Sequence, residues 1–364
     1  MATYKSIRYI VPVEAVEHTD SINALSDVDT DTTAPTDGQI LKWNNTNSKW
    51  YPGDAEEEES SGATQKAIFG FGTASSGKTN ITNLVSSSGV VATDQTGVGT
   101  ARSDLAGTGY GGDKAIFGFG RLSSSPYRTN VSNLVSNTGV VSTDSTGVGT
   151  VKRHLAAACY GEDKGIFAYG SDHNSSSAIT AHSNLVSNTG VVASDNSVSG
   201  SAKQKLAAAS YGEDKAIFGF GDATSSTTNA TNLVSNTGVI SSDVTNAGQI
   251  RSRLAACGYG GDKAIFGGIN GDRHKTNLVS NTGVVASDVN GVGEGRTNYA
   301  GAVYGGDKGI FGFGTTISAA GYDYEEVVAN FVRLISNTGV VASDTTGVGT
   351  ARDGLAAAAY STTA

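Results

Sequence analysis

The chain reads as an all-β protein: a six-bladed β-propeller of four-stranded blades, preceded by a small β-strand and hairpin module. Three observations predict this. A stretch that opens at Asn133 and closes at Lys164 recurs with its length fixed. Its first residue returns at Asn83, Asn184, Asn232 and Asn277, with Arg333 in that register, and its lysine follows 31 residues later at Lys114, Lys215, Lys263 and Lys308. From Lys66 onward the lysine-to-lysine period is 45 to 51 residues, a length that suits one four-stranded blade. The chain also enters its repeats part-way through a unit, at Lys66 in KAIFGFG, while residues 355–360 (LAAAAY) carry the segment missing before Lys66. Ends that complement each other suit a closed ring, whereas an open solenoid needs polar caps.

Composition agrees with short strands and tight turns. The 364 residues include 49 glycines and only four prolines, and 38% are hydrophobic. A net charge of −9 with no basic run argues against nucleic acid as a partner. Cys159 and Cys257 fall on equivalent segments of different repeats, which suits buried free thiols rather than a disulfide. The start, MATYKSIRYIVPV, lacks the apolar core of a signal peptide, and no run approaches the ~18 apolar residues of a membrane span.

In chain order, residues 1–54 form an attachment and oligomerisation module. Residues 4–13 alternate as a strand that Pro12 confines to an edge. Strands at residues 39–43 and 49–51 make a hairpin carrying Trp43 and Trp50, too small to bury both faces alone. Residues 55–65, with Glu56 to Glu59 followed by serine and glycine, form an acidic linker. Residues 66–364 are the propeller. In each blade LAAAxYG is the inner strand, where small side chains suit strands converging on an axis; KAIFGFG, TNLVSN and GVVASD follow as the second, third and outer strands.

Two resemblances rest on these residues. The pattern LSDVD…APTDGQ.L.W…KW.PGD, over about thirty residues, resembles short modules of virion proteins from tailed bacteriophages, particularly tail-fibre and related proteins of marine and cyanobacterial phages. It implies a virion component anchored through that module to other virion proteins. Fibres of this kind are commonly trimeric, which implies a homo-oligomer. The order R..LAAAxYG, DKAIFGFG and two further strands resembles the kelch repeat over residues 66–364, although many units have Gly-Phe-Gly where kelch has Gly-Gly and the outer-strand tryptophan is missing.

Six acids each precede a base by eight residues: Asp94 and Arg102, Asp144 and Lys152, Asp195 and Lys203, Asp243 and Arg251, Asp288 and Arg296, Asp344 and Arg352. They read as ion pairs bracing the loop between the outer strand and the next inner strand. The Gly-Gly-Asp-Lys and Gly-Glu-Asp-Lys segments read as hairpin turns. The five histidines show no metal spacing, and Asp27, Asp29 and Asp31 echo a calcium loop but lack its glycine, since Thr32 stands there. No cofactor or metal is expected, and no catalytic motif appears.

Length variation is confined to the connection between the second and third strands, which carries Tyr127, Arg128, His173, Asn174, His182, Arg273, His274, Tyr322 and Tyr324. A constant scaffold with one diversified rim is how binding surfaces are usually built. The expected function is therefore that of a non-enzymatic virion fibre or spike subunit that displays its propeller to a host-surface glycan. A purely structural decoration, collar or tail protein is the alternative. A glycan depolymerase is the remote one, with Asp323, Glu325 and Glu326 as its only candidate acids.

Overall fold

The computed structural model describes residues 27–29, 39–44, 47–54, 65–172, 179–246, 248–270, 273–320 and 323–361. The expected strand at residues 4–13, the linker at Glu56 to Glu59, and His173, Asn174 and Tyr322 lie outside them. The described residues contain strands and no helix, and hence no helix long and apolar enough to cross a membrane. The chain divides into two compact units, Met1–Ser60 and Ser61–Ala364.

In the first unit, Gln39–Asn44 and Lys49–Asp54 pair antiparallel, with Trp43 opposite Trp50. Their rings meet edge to face at 5.4 Å, a contact typically worth about 1 kcal/mol beyond the area it buries. The hairpin gains an edge that the sequence does not suggest. Asp29 N donates to Trp50 O at 2.7 Å and Trp50 N to Asp27 O at 2.6 Å, and Val28 between them is buried.

The second unit consists of small antiparallel sheets, six of which are built on the repeat. In the second repeat Ala106–Tyr110 pairs with Lys114–Gly118, which pairs with Ser132–Val135. The equivalent first sheet draws its inner strand from the far end of the chain: Ala356–Ser361 pairs with Gln65–Gly70, Lys66 opposite Tyr360 and Ile68 opposite Ala358. Each alanine-rich strand lies beside two others of its kind, and Ala356–Ser361 adjoins both Ala106–Tyr110 and Ala300–Tyr304.

Two closed cycles of backbone hydrogen bonds bound these strands. At one end Gly111 N donates to Asp163 O, Gly161 to Asp214, Gly212 to Asp262, Gly260 to Asp307, Gly305 to Gln65, and Ser361 back to Asp113. At the other end Asp104 N donates to Gly354 O, His154 to Asp104, Lys205 to His154, Arg253 to Lys205, Asn298 to Arg253, and Gly354 back to Asn298.

The core lies between neighbouring sheets, because the KAIFG strands are buried on both faces. Ala67 and Phe69 pack with Ile310 and Phe313, while Ile68 and Phe71 pack with Ala115 and Phe117. The second aromatic of Gly-Phe-Gly takes a left-handed conformation, φ near 64° at Phe71, Phe119, Phe220 and Phe313, and turns its ring onto the next sheet. The glycine after it is obligatory: at Gly120, φ is 117° and a Cβ would stand 2.8 Å from Ser103 O.

Three expectations need correction. The segment GVVASD is not a continuous strand; it touches its neighbour through single bridges such as Val85 with Val91, and the outer ladders are two-residue pairs such as Asn196–Ser197. Asn133 and its equivalents span this break, the side-chain amide donating to Ser142 O at 3.0 Å, and the break persists where Arg333 stands in their place. The connection holding Arg273 and His274 is not a loop either, because Lys263–Asn270 and Arg273–Val279 pair without interruption. Nor is the longest connection, which is the hairpin of Thr315–Ala320 with Asp323–Val328.

Candidate functional site

The six acid–base sets form, but within a sheet, not across the loop that joins one sheet to the next. Arg102 lies 3.8 Å from Asp144, Lys152 4.0 Å from Asp195, Lys203 3.4 Å from Asp243, Arg251 2.9 Å from Asp288 and Arg296 3.1 Å from Asp344. Each base thus stands ahead of the strands whose far end carries its acid: Arg102 precedes Ala106–Tyr110 and Asp144 follows Ser132–Val135 of the same sheet. The sixth returns to the first: Thr350 N and Oγ1 both donate to Asp94 Oδ2, and the charge of Arg352 acts on that carboxyl. Arg102 is fully buried and spends every nitrogen, Nε on Phe119 O, Nη1 on Thr100 O and Nη2 on Asn133 Oδ1, with its guanidinium 4.2 Å over the Phe71 ring. Arg352 repeats the pattern on Phe71 O, Thr350 O and Asn83 Oδ1. Burial raises the Asp144 carboxyl, but hydrogen bonds from Thr100 and Asn133 and the charge of Arg102 outweigh it and hold it below the ordinary range. Burial lowers Arg102 to about 10 against the opposing pull of Asp144. A set repeated this faithfully is a brace.

The cycle of bonds through Asp104, His154, Lys205, Arg253, Asn298 and Gly354 is different in kind. These six residues hold one register position, immediately before Leu105, Leu155, Leu206, Leu254, Tyr299 and Leu355, and no two are alike. All six have φ between 52° and 58°, a conformation costing roughly 1–2 kcal/mol for a residue with a side chain. The closed cycle stabilises that conformation, so the backbone is fixed while the side chain is left free to vary. Together they line a cavity of about 80 Å³.

The charges around the cavity are unevenly placed. His154 Nε2 lies 3.4 Å from Asp104 Oδ2. Burial raises the Asp104 carboxyl, yet the bond and charge of His154, with Arg121 and Arg153, bring it net below its ordinary value. Lys205 is tied to Asp222 at 2.9 Å, whereas Arg253 is exposed and makes no ion pair among the described residues. Burial first, then Arg121 and Arg153, lower the Lys78 ammonium, and Arg121 and Arg128 act on Arg153. Four bases, Lys78, Arg121, Arg128 and Arg153, thus lie close to one another on the side of Asp104, outside the cavity lining.

The expected contact residues divide. Their connections do border the ring: Ser103 pairs with Arg121 and Arg153 with Ser171, each one residue before a ring position. Tyr127 is 46% exposed, Arg128 sits opposite Arg121, and His182 opens the strand His182–Val186 half-buried. Arg273 and Tyr324 stand in paired strands, opposite Asn270 and Ala319. His274 is 2% exposed and so is no surface contact. The ring itself is missing from the sequence-based set, and its signal was slight: no two of the six residues before Leu105, Leu155, Leu206, Leu254, Tyr299 and Leu355 are alike, but neighbouring columns vary nearly as much. Both thiols are free and pushed up by burial, and no group of three or more potential metal ligands occurs among the described residues. No protein-family model matches the chain, and a search of curated proteins finds no match.

Proposed function

We propose that residues 65–361 form a six-bladed β-propeller serving as the non-catalytic binding head of a tailed-phage virion protein, a fibre or spike subunit whose ring and bordering connections take a host-surface glycan. The observation that carries this reading is the six unlike residues at one register position, gathered by a closed hydrogen-bond cycle onto a single cavity. Binding surfaces are usually built in this way, on a rigid scaffold with variation concentrated in one place. The crowded bases beside Asp104, together with the unpaired Arg253, favour a glycan bearing carboxylate or phosphate groups, for which arginine forks are suited. The return of Ala356–Ser361 to Gln65–Gly70 supports the ring, because it leaves neither end of the repeat array without a neighbour. Trp43, 43% exposed on a two-stranded hairpin, supports attachment or trimerisation through the N-terminal module.

The test is competition. Excess full-length protein added to host cells should block adsorption of phage particles carrying it, and Arg253→Glu protein should block less well at the same concentration. Absence of competition by the parent protein at saturation would leave a structural decoration protein as the reading. Binding to purified neutral polysaccharide but not to acidic polysaccharide would overturn the ligand class alone.

A further inference from the structure

The fifth and sixth repeats depart from the pattern at three adjoining places. Arg333 replaces the asparagine found at Asn83, Asn133, Asn184, Asn232 and Asn277, bringing a second cation to a carboxylate that already has one. Arg296 Nη2 and Arg333 Nε meet the same Asp344 Oδ1, at 3.1 and 2.7 Å. His274 replaces the asparagine found at Asn80, Asn130, Asn229 and Asn330, each of which donates to a glycine carbonyl in the following connection. Gly268 replaces the aromatic whose carbonyl takes Nε of the buried base, as Phe119 O does for Arg102.

The result is a set of buried donors with nothing to donate to. Arg251, His274, Arg296 and Arg333 are 3, 2, 0 and 0% exposed. Nε and Nη2 of Arg251, Nε of Arg296, Nη1 of Arg333 and both ring nitrogens of His274 have no hydrogen-bond partner among the described residues. Among the described residues these three guanidiniums pair with only two carboxylates, Asp288 and Asp344, while the exposed Glu294 adds its charge to Arg296 from the surface. Arg333, Arg296 and Arg251 all act electrostatically on His274, which ties the groups into one cluster. A buried charge without a counter-charge, and buried N–H groups without acceptors, are each strongly unfavourable.

We propose that this cluster binds a small inorganic monoanion, chloride in solution, held by the free N–H groups of Arg251, Arg296 and Arg333 beside the His274 imidazole. A negative charge suits three buried cations that share two carboxylates, and a monatomic acceptor can take their unpaired N–H groups from several directions at once. The enclosure of the cations limits the ligand to ion size. Burial first, then the surrounding arginines, bring His274 to about 3, so the imidazole is neutral and adds a donor without adding charge.

The experiment compares thermal unfolding of the full chain in sodium chloride and sodium gluconate at equal ionic strength. It is run on the parent protein and on Arg333→Asn, which restores the residue of the other repeats. Chloride at tenfold its dissociation constant should raise the parent midpoint by about 2–4 °C. The variant should gain less than a third of that. Should Arg333→Asn fail to fold, Arg333→Gln takes its place. Crystals grown in bromide should show one anomalous peak within contact of the Arg251 and Arg333 guanidiniums. An equal chloride response in parent and variant, a response to phosphate but not to halide, or water alone at the site in the bromide crystals would each overturn the proposal.

Discussion

The junction at Arg102 and the one at Arg296 occupy equivalent places and do different things. At the first, one guanidinium, one asparagine and one aspartate satisfy each other, and each nitrogen of Arg102 has an acceptor. At the second, two guanidiniums share Asp344, His274 stands close by, and several donors are left over. The strands on either side remain in register: Ile116 lies opposite Leu134 in one, and Ile310 opposite Leu334 in the other. The fold is therefore held by its apolar strands, and the polar junctions can diverge while the ladder persists. Compensation is visible where divergence touches packing. Gly268 lacks the ring that should lie against Phe311, and Tyr299, standing where the other repeats have leucine, supplies it edge to face at 5.5 Å.

The largest disturbance severs the closure that makes all junctions equivalent. Truncation after Ala351 removes both Arg352 and the strand Ala356–Ser361, exposing the apolar face of Gln65–Gly70. The truncated chain should be insoluble or lose its cooperative melting transition; a melt superimposable on the intact protein's would rule out a closed array. Next, Arg102→Ala attacks the satisfied junction, leaving Phe119 O, Asn133 and Asp144 without their buried partner. A loss of about 3–5 kcal/mol in urea denaturation is expected, as for other broken buried pairs.

The two junctions should also separate by pH. His274 titrates near 3 in the folded chain against 6.5 in the unfolded one, lowered chiefly by burial and then by Arg333 and Arg296. The unfolded chain therefore takes up the proton first. The stability that this histidine contributes is complete above pH 6.5 and drains away as pH falls toward 3, by up to ~1.4 kcal/mol per pH unit. Between pH 7 and 5 the parent should lose about 1–2 kcal/mol by urea denaturation, and His274→Asn should abolish most of that slope. Asp144 and its equivalents, with depressed carboxyls, act only lower: Asp243, at about 2, contributes stability that is present above its ordinary 3.8 and lost below it. The smallest expected effect is a coupling. Tyr299→Leu and Gly268→Phe should each destabilise, and the pair together should recover about 1 kcal/mol relative to their sum in a double-mutant cycle.

Much of this was legible in the chain. The 31-residue interval and the displaced LAAAAY segment announce six equivalent sheets and the pairing of residues 355–360 with Lys66, because strand pairing follows a period that the eye can count. The Trp43 and Trp50 hairpin is equally plain. The acid–base sets were legible as sets but not as pairs: eight residues of separation suggests Asp94 with Arg102, whereas each base meets the acid at the far end of the sheet it leads into, as Arg102 meets Asp144. The surface role expected of His274 fails for a related reason. Continuation of the strand past Gly268 draws it inward, and a histidine in a short connection reads the same whether the connection is a loop or a ladder.

By itself, the sequence determined the all-β class, the number and length of the repeats and the location of length variation, since all of these are matters of local periodicity and composition. Only the tertiary structure decided which base meets which acid, that six unlike residues close one hydrogen-bond cycle around a cavity, and that Arg333 joins the replacements at Gly268 and His274 in one buried cluster of unsatisfied donors. Each of these joins residues roughly 35 to 250 positions apart, and contacts at that range are set by how the sheets pack, which no single repeat encodes.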